Sequence, residues 1–269
     1  MTKIVFITGA SSGIGEAIAT RLSDKGFIVY GTSRKKQNNV DYKFHFLQLD
    51  VRDEQSIERA ISYVIEKEGR IDILINNAGL GMIGALEDTT IEESKSIFDT
   101  NVFGLHAMCK AVIPYMRKVN NGLIINTSSI AGKVGLPYRG IYNATKHAIE
   151  GYSEALSMEL RPFNIKVIIL EPGDYRTNIN TNRKISKESL NPSSPYYHSF
   201  NRTLDQVFNE VNTAWSPEKI AKDVERIIKY KYPRLRFTSA PLKQKLSILL
   251  HKILPARLFE YMISKFYNV

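Results

Sequence analysis

What most constrains this chain is an alternation. Through its first 173 residues, short β-branched runs take turns with longer amphipathic ones. "KIVFITG" (3–9) has the pattern of a buried strand, and 13–26 that of a helix ended by Gly26. Strands are predicted at 27–34, 43–51, 71–79, 122–129 and 165–173, with helices at 53–69, 90–118 and 141–162. Strands and helices in strict turn predict an α/β fold: a doubly wound parallel sheet with helices on both faces. Near-continuous apolar strands agree, because both faces of such a sheet are covered. At 269 residues the chain suits a single domain. Its expected parts are a core at 1–177, a substrate loop or lid at 178–216, where the polar run with Pro192 and Pro195 breaks the pattern, and a C-terminal helical extension at 217–269.

Where the first strand meets the first helix stands "TGASSGIG", Thr8 to Gly15. Gly9 permits a tight turn, Gly13 lets the backbone approach a pyrophosphate, and Gly15 allows close helix–strand packing. The helix N-terminus offers amide donors and the positive end of a dipole. The context is therefore that of a dinucleotide site in a Rossmann-type fold. An acid about 20 positions further on would hold the ribose of NAD. Ser33 stands there instead, followed by Arg34, Lys35 and Lys36. A guanidinium grips a 2′-phosphate that a carboxylate would repel, so the expected cofactor is NADP(H).

"IYNATKHA" sets Tyr142 one helical turn ahead of Lys146. By itself the pair is only a helix with two large residues on one side. In company it means more. The order "TGASSGIG", Asp50, "NNAG" (76–79), "NVFG" with Asn101, "NTSS" with Ser129, "YNATK" and "EPGDYRT" resembles the short-chain dehydrogenase/reductase family from Lys3 to about Thr177. The resemblance implies an NADP-dependent enzyme acting on CH–OH and C=O groups. It makes Tyr142 the general acid of reduction and Lys146 a partner that also binds the nicotinamide ribose. An ammonium beside a phenol is expected to lower the phenol's pKa from its ordinary value near 10. By the same resemblance Ser129 hydrogen-bonds the substrate oxygen, with Ser128 the neighbouring alternative, and Asn101 holds a water of the proton relay. The cofactor contacts implied in the glycine loop are Gly9, Ser11, Ser12, Gly13, Ile14 and Gly15. Ser33 and Arg34 follow on the second strand, and Asp50 and Val51 at the adenine. Asn77, Ala78 and Gly79 line the cofactor, Tyr142 and Lys146 meet it, and Pro172, Gly173 and Thr177 close on the carboxamide. Tyr175 and Arg176 are bulkier than is common at that place in the family.

The lone Cys109 excludes an intrachain disulfide and fits a reducing compartment, the cytoplasm, where it is expected to serve as a small buried hydrophobe. Five scattered histidines have no ligand spacing, so no metal site is expected. The net charge of +10 is uneven: residues 219–269 hold 12 basic and 3 acidic side chains, and the rest is almost balanced. Apolar residues at 242, 246, 249, 250, 253 and 254, then at 258, 259, 262, 263, 266 and 267, follow helical period on either side of Pro255. Such basic amphipathic helices either pack as a lid over a greasy pocket or lie on a membrane, and the lid is favoured. Nucleic acid is not expected, since no recognition motif accompanies the charge. The expected substrate is a carbonyl or alcohol on a hydrophobic lipid-, steroid- or retinoid-like molecule, with reduction favoured. The competing expectation is a catalytically silent NADP(H)-binding or membrane-surface regulatory protein of the same fold. Family analogy adds a homodimer or homotetramer built through 90–118 and 141–162.

Overall fold

The computed structural model describes residues 2–35, 42–177 and 183–269. In chain order its elements are β1 (Ile4–Ile7), α1 (Gly13–Asp24), β2 (Ile28–Ser33), β3 (His45–Gln48), α2 (Glu54–Glu68), β4 (Ile73–Asn76) and β5 (Met82–Ile83). Then come α3 (Ile91–Phe98), a π-turn (Asp99–Phe103), α4 (Gly104–Lys118), β6 (Gly122–Thr127), α5 (Gly140–Glu159) and β7 (Ile165–Pro172). The chain ends with β8 (Lys184–Ile185), α6 (Tyr197–Asn212), α7 (Pro217–Lys229), β9 (Arg236–Ser239), α8 (Leu242–Ile253) and α9 (Ala256–Tyr267).

Seven strands form one sheet in the order β3-β2-β1-β4-β6-β7-β9, and all its pairings are parallel. β1 explains the continuous apolar run in the sequence. Ile4 and Phe6 enter the core beneath α2, α4 and α5, while Val5 and Ile7 enter the opposite core with α1 and α7. The chain crosses over in opposite directions on either side of β1 and β4. Their carboxyl ends therefore frame a crevice at the topological switch point, and the "TGASSGIG" and "NNAG" stretches follow directly from those ends.

Three elements differ from the sequence pattern. Within 217–269, expected to be a helical extension, β9 joins the sheet as its seventh strand beside β7. The predicted helix 90–118 is α3 and α4 joined by the π-turn that carries Asn101. Inserted turns of this kind re-aim side chains and concentrate at functional sites. Within 178–216, expected to be a polar loop, residues 178–182 lie outside the described residues, and much of the remainder is helix α6. Its Phe200, Leu204, Val207 and Val211 recur one turn apart and are buried, and this stripe nucleates a third apolar cluster with Ile83 and Tyr267.

Candidate active site

The first wall of the crevice is backbone. Gly9 and Gly13 hold φ of +70° and +60°, the left-handed region where a Cβ is strained. A Cβ on Gly15 would stand 2.2 Å from the Gly9 carbonyl oxygen, so only glycine lets α1 start this close to β1. Ser12 caps α1 in extended conformation without spending its side chain on the helix, which leaves first-turn amides facing the crevice. The buried Thr8 hydroxyl accepts hydrogen bonds from the Asn77 and Ala78 amides, both at 3.0 Å. The Asn77 amide group donates to the Thr8 and Gly9 carbonyls. These bonds stitch the two strand ends into one cradle.

That cradle lines a cleft of about 420 Å³ with Gly9, Ser11, Ser12, Gly13, Ile14, Gly15, Ser33, Arg34, Val51, Asn77, Ala78, Gly79 and Thr177. Lys35 joins them, as do Leu49 and Leu80, which no motif marked; Lys36 lies outside the described residues. Asp50 does not line the cleft. Its carboxylate makes a two-pronged pair with Arg52, at 3.0 and 2.6 Å, which holds it well below the usual carboxylate range. The cradle fits an extended anionic dinucleotide: unspent amides and glycines lie at one end, and Ser33, Arg34 and Lys35 at the other.

A second cleft opens beyond Gly79 and is lined by Ser129, Tyr142, Lys146, Pro172 and Gly173. Tyr142 and Lys146 share a face of α5, with the Lys146 ammonium 5.7 Å from the centre of the Tyr142 ring. Lys146 is buried and donates to the Thr127 carbonyl at the end of β6, at 2.8 Å. Ser128 and Ser129 both border the cleft. The buried Ser128 hydroxyl donates to the Lys146 carbonyl at 3.4 Å, while the Ser129 hydroxyl donates to the Pro172 carbonyl at 3.4 Å and accepts from the Ala131 amide at 3.1 Å.

The electrostatics correct one expectation. The Tyr142 phenol lies above its ordinary pKa, not below. Burial is the largest cause and outweighs the nearby Ser129 hydroxyl and the positive charges of Arg183 and Arg139, which pull it down. Burial also pushes the Lys146 ammonium down, to about 8, against the pull of Glu150 one turn further along α5. Glu150 in turn accepts from Lys133 at 2.5 Å and Arg236 at 3.0 Å, and both cations also approach Glu171, at 3.3 and 3.5 Å. At neutral pH the site thus presents a phenol that carries its proton beside a lysine that titrates close by.

Asn101 lines neither cleft. Its side chain accepts from the Leu80 amide at 2.7 Å and donates to the Leu80 carbonyl and the Thr145 hydroxyl. Thr145 donates in turn to the Tyr142 carbonyl at 2.7 Å. The Asn101 side chain therefore spends its polar atoms on protein, tying the loop after "NNAG" to the turn that carries the tyrosine.

Residues 3–188 match the short chain dehydrogenase family. This chain belongs to that family. It is an oxidoreductase, and carbonyl–alcohol chemistry is the family's usual work. It is similar over 267 residues, at 45% identity, to the 3-ketodihydrosphingosine reductase of Bacteroides thetaiotaomicron, covering 99% of this chain and 98% of that one. A short-chain dehydrogenase from Streptomyces avermitilis superposes with a TM-score of 0.82 at 31% identity, over 100% of this chain and 98% of the other. A serine dehydrogenase solved with NADP+ has a TM-score of 0.76 at 27% identity, over 89% and 95% of the two chains.

Much of the rest of the second cleft comes from outside the family motifs, Asp174 and Tyr175 of "EPGDYRT" excepted. Met82, Leu136, Tyr175 and Val211 supply apolar wall, and Arg139, Asp174 and Arg183 supply charge. Arg139 is held over the Tyr267 ring and donates to its hydroxyl at 3.0 Å. Gln244 of α8 accepts from the Asp174 amide and donates to its carboxylate. The C-terminal helices thus brace Arg139 and Asp174, two residues of the cleft wall, from behind. Apart from Asp174 and Tyr175, no local sequence signal marks these residues, because they come together only through contacts between distant segments. Among the described residues no helix is long and apolar enough to cross a membrane.

Proposed function

We propose that this chain is an NADPH-dependent reductase of a carbonyl on a long-chain, lipid-like molecule with a polar head. The observation that carries the reading is the convergence of Ser129, Tyr142 and Lys146 where the glycine-lined cleft meets a second cleft, apolar on one side and charged on the other. Bound NADPH supplies a hydride to the carbonyl carbon. Ser129 donates a hydrogen bond to the carbonyl oxygen and stabilises charge as it develops there. Tyr142 delivers the proton, and its raised pKa keeps that proton in place at neutral pH, which suits reduction. Lys146, fixed by Thr127, orients the ribose and stands within reach as the next proton source. Arg34, on the cleft wall beside Ser33 and Lys35, supports NADPH over NADH.

The name of the Bacteroides relative supports a long-chain amino ketone as substrate, and the mixed apolar and charged lining suits an amphiphile of that kind. Exposed Phe103 in the π-turn and Met158 on α5 support pairing of copies through these helices, which light scattering reads directly. The deciding experiment follows NADPH absorbance over a panel of ketones that includes 3-ketodihydrosphingosine, with NADH in parallel. Turnover is expected with NADPH and long-chain ketones. Tyr142→Phe is expected to lower kcat by about a thousandfold, with NADPH affinity kept within about threefold. Undiminished turnover in that variant ends the reading.

A further inference from the structure

We propose that the outward faces of α8 and α9 form a docking surface for an anionic lipid bilayer. Nine of the nineteen exposed large apolar side chains among the described residues fall in 242–269. On α8, Leu242, Leu246, Leu249 and Ile253 are 82, 50, 52 and 65% exposed. At about 100° per residue they fall within an arc of roughly 60°, with Lys243 on one flank and Lys245 and Lys252 on the other. Gln244, which meets Asp174, lies on the opposite side. On α9 the buried Phe259 and Tyr267 face the protein, while exposed Leu258 and Tyr261 lie on the far side around Lys265, and exposed Met262 and Phe266 on the flank between. Each helix therefore turns a second apolar stripe to solvent, the reverse of an ordinary surface helix.

The two helices run as an antiparallel hairpin about Pro255. Lys243 lies 4.9 Å from the centre of the Phe266 ring, and His251 stacks edge-on against Phe259 at 4.9 Å. Leu249 and Leu258 thus lie toward the Pro255 end, and Leu242 and Phe266 at the other. Charge selects the occupant. The hairpin carries five lysine and arginine side chains against one acid, Glu260, and that acid is paired with Arg257 at 2.9 Å. A second copy would bring the same cations against themselves. Anionic headgroups complement them, while the leucines enter the acyl boundary and the lysines extend to the headgroups. Because Gln244 and Tyr267 of the same helices hold Asp174 and Arg139 of the substrate cleft, docking would set the cleft close to the phase that dissolves a long-chain substrate.

The test is sedimentation of the full chain with phosphatidylcholine vesicles, with and without phosphatidylglycerol. The wild type is expected to pellet with the anionic vesicles, at least about tenfold more than with pure phosphatidylcholine, and to be released by salt. The triple change Leu246→Glu, Leu249→Glu and Ile253→Glu should abolish pelleting. Lys243→Glu with Lys245→Glu and Lys252→Glu should lower it by about a hundredfold, at about fivefold per lysine. Cofactor affinity and turnover of a small water-soluble ketone should be unchanged in both, which shows that the variants fold. A wild type that stays in the supernatant with anionic vesicles overturns the proposal. So does a leucine variant that still pellets while its mass falls from oligomer to monomer, since the face is then a contact between copies. Pelleting is read without turnover, so failure here leaves the reductase reading intact, and absence of turnover leaves this one intact.

Discussion

The two walls of the active-site crevice are built from different materials. The cofactor wall consists of backbone, glycine and small side chains drawn from a few short stretches: 9–15, 33–35 and 77–79. The substrate wall consists of large side chains from Met82, Leu136, Arg139, Asp174, Arg183 and Val211, held by helices that close the chain. A wall of backbone can be specified locally, because a φ of +70° or a forbidden Cβ leaves glycine as the one residue that fits. A wall of side chains is specified by packing, so each contributor looks ordinary in its own segment.

The sharpest break between the two walls should come from Phe200→Ala in α6. Phe200 is fully buried in the cluster that carries Tyr267 and, through it, Arg139. Deleting a buried phenyl ring should cost about 3–5 kcal/mol. The expected outcome is a lower midpoint in urea and a raised KM for the ketone, with NADPH affinity nearly intact. An equal loss of cofactor affinity would mean that the walls are not separate units. A smaller effect, confined to the other wall, is expected from Arg34→Ala. Losing a charge-assisted contact to the 2′-phosphate should weaken NADPH by about 1.5–3 kcal/mol and leave NADH unchanged. Fluorescence titration with both nucleotides reads it.

The smallest effect is expected at the seam. Burial lowers the Lys146 pKa to about 8, whereas the unfolded chain would titrate near the ordinary lysine value of 10.5. Between those two pH values the unfolded state binds the additional proton, so this group's contribution to stability rises with pH across that window. Lys146→Met should therefore stabilise the protein at pH 7 by on the order of 1–2 kcal/mol while abolishing turnover. The gain should shrink toward pH 10, and thermal denaturation at the two pH values checks both signs.

The contrast between the walls also explains what could be read from the chain. The sheet, its order of elements and the cofactor wall were legible because β-branched runs, glycine spacing and one-turn pairs are local signals. Helix α6 escaped because its polar composition and two prolines drew the eye from the stripe Phe200, Leu204, Val207 and Val211, which stands at helical period in the sequence. The direction of the Tyr142 shift could not be read either. Spacing places the ammonium beside the phenol, but burial decides the sign, and burial depends on how distant segments pack around the cleft. Asn101 was found by its motif, while its bonds to Leu80 and Thr145 depended on how three segments meet.

The carboxylate of Glu150 carries one more consequence. It stands one turn beyond Lys146, and left alone in the interior it would clamp that ammonium in its charged form. Lys133 and Arg236 already divide its attention, and they are shared in turn with Glu171 and, for Arg236, with Glu154. The grip on the lysine is loosened from the rear. In the proposed reduction, the readiness of Lys146 to give up its proton is thus governed partly on the far side of α5.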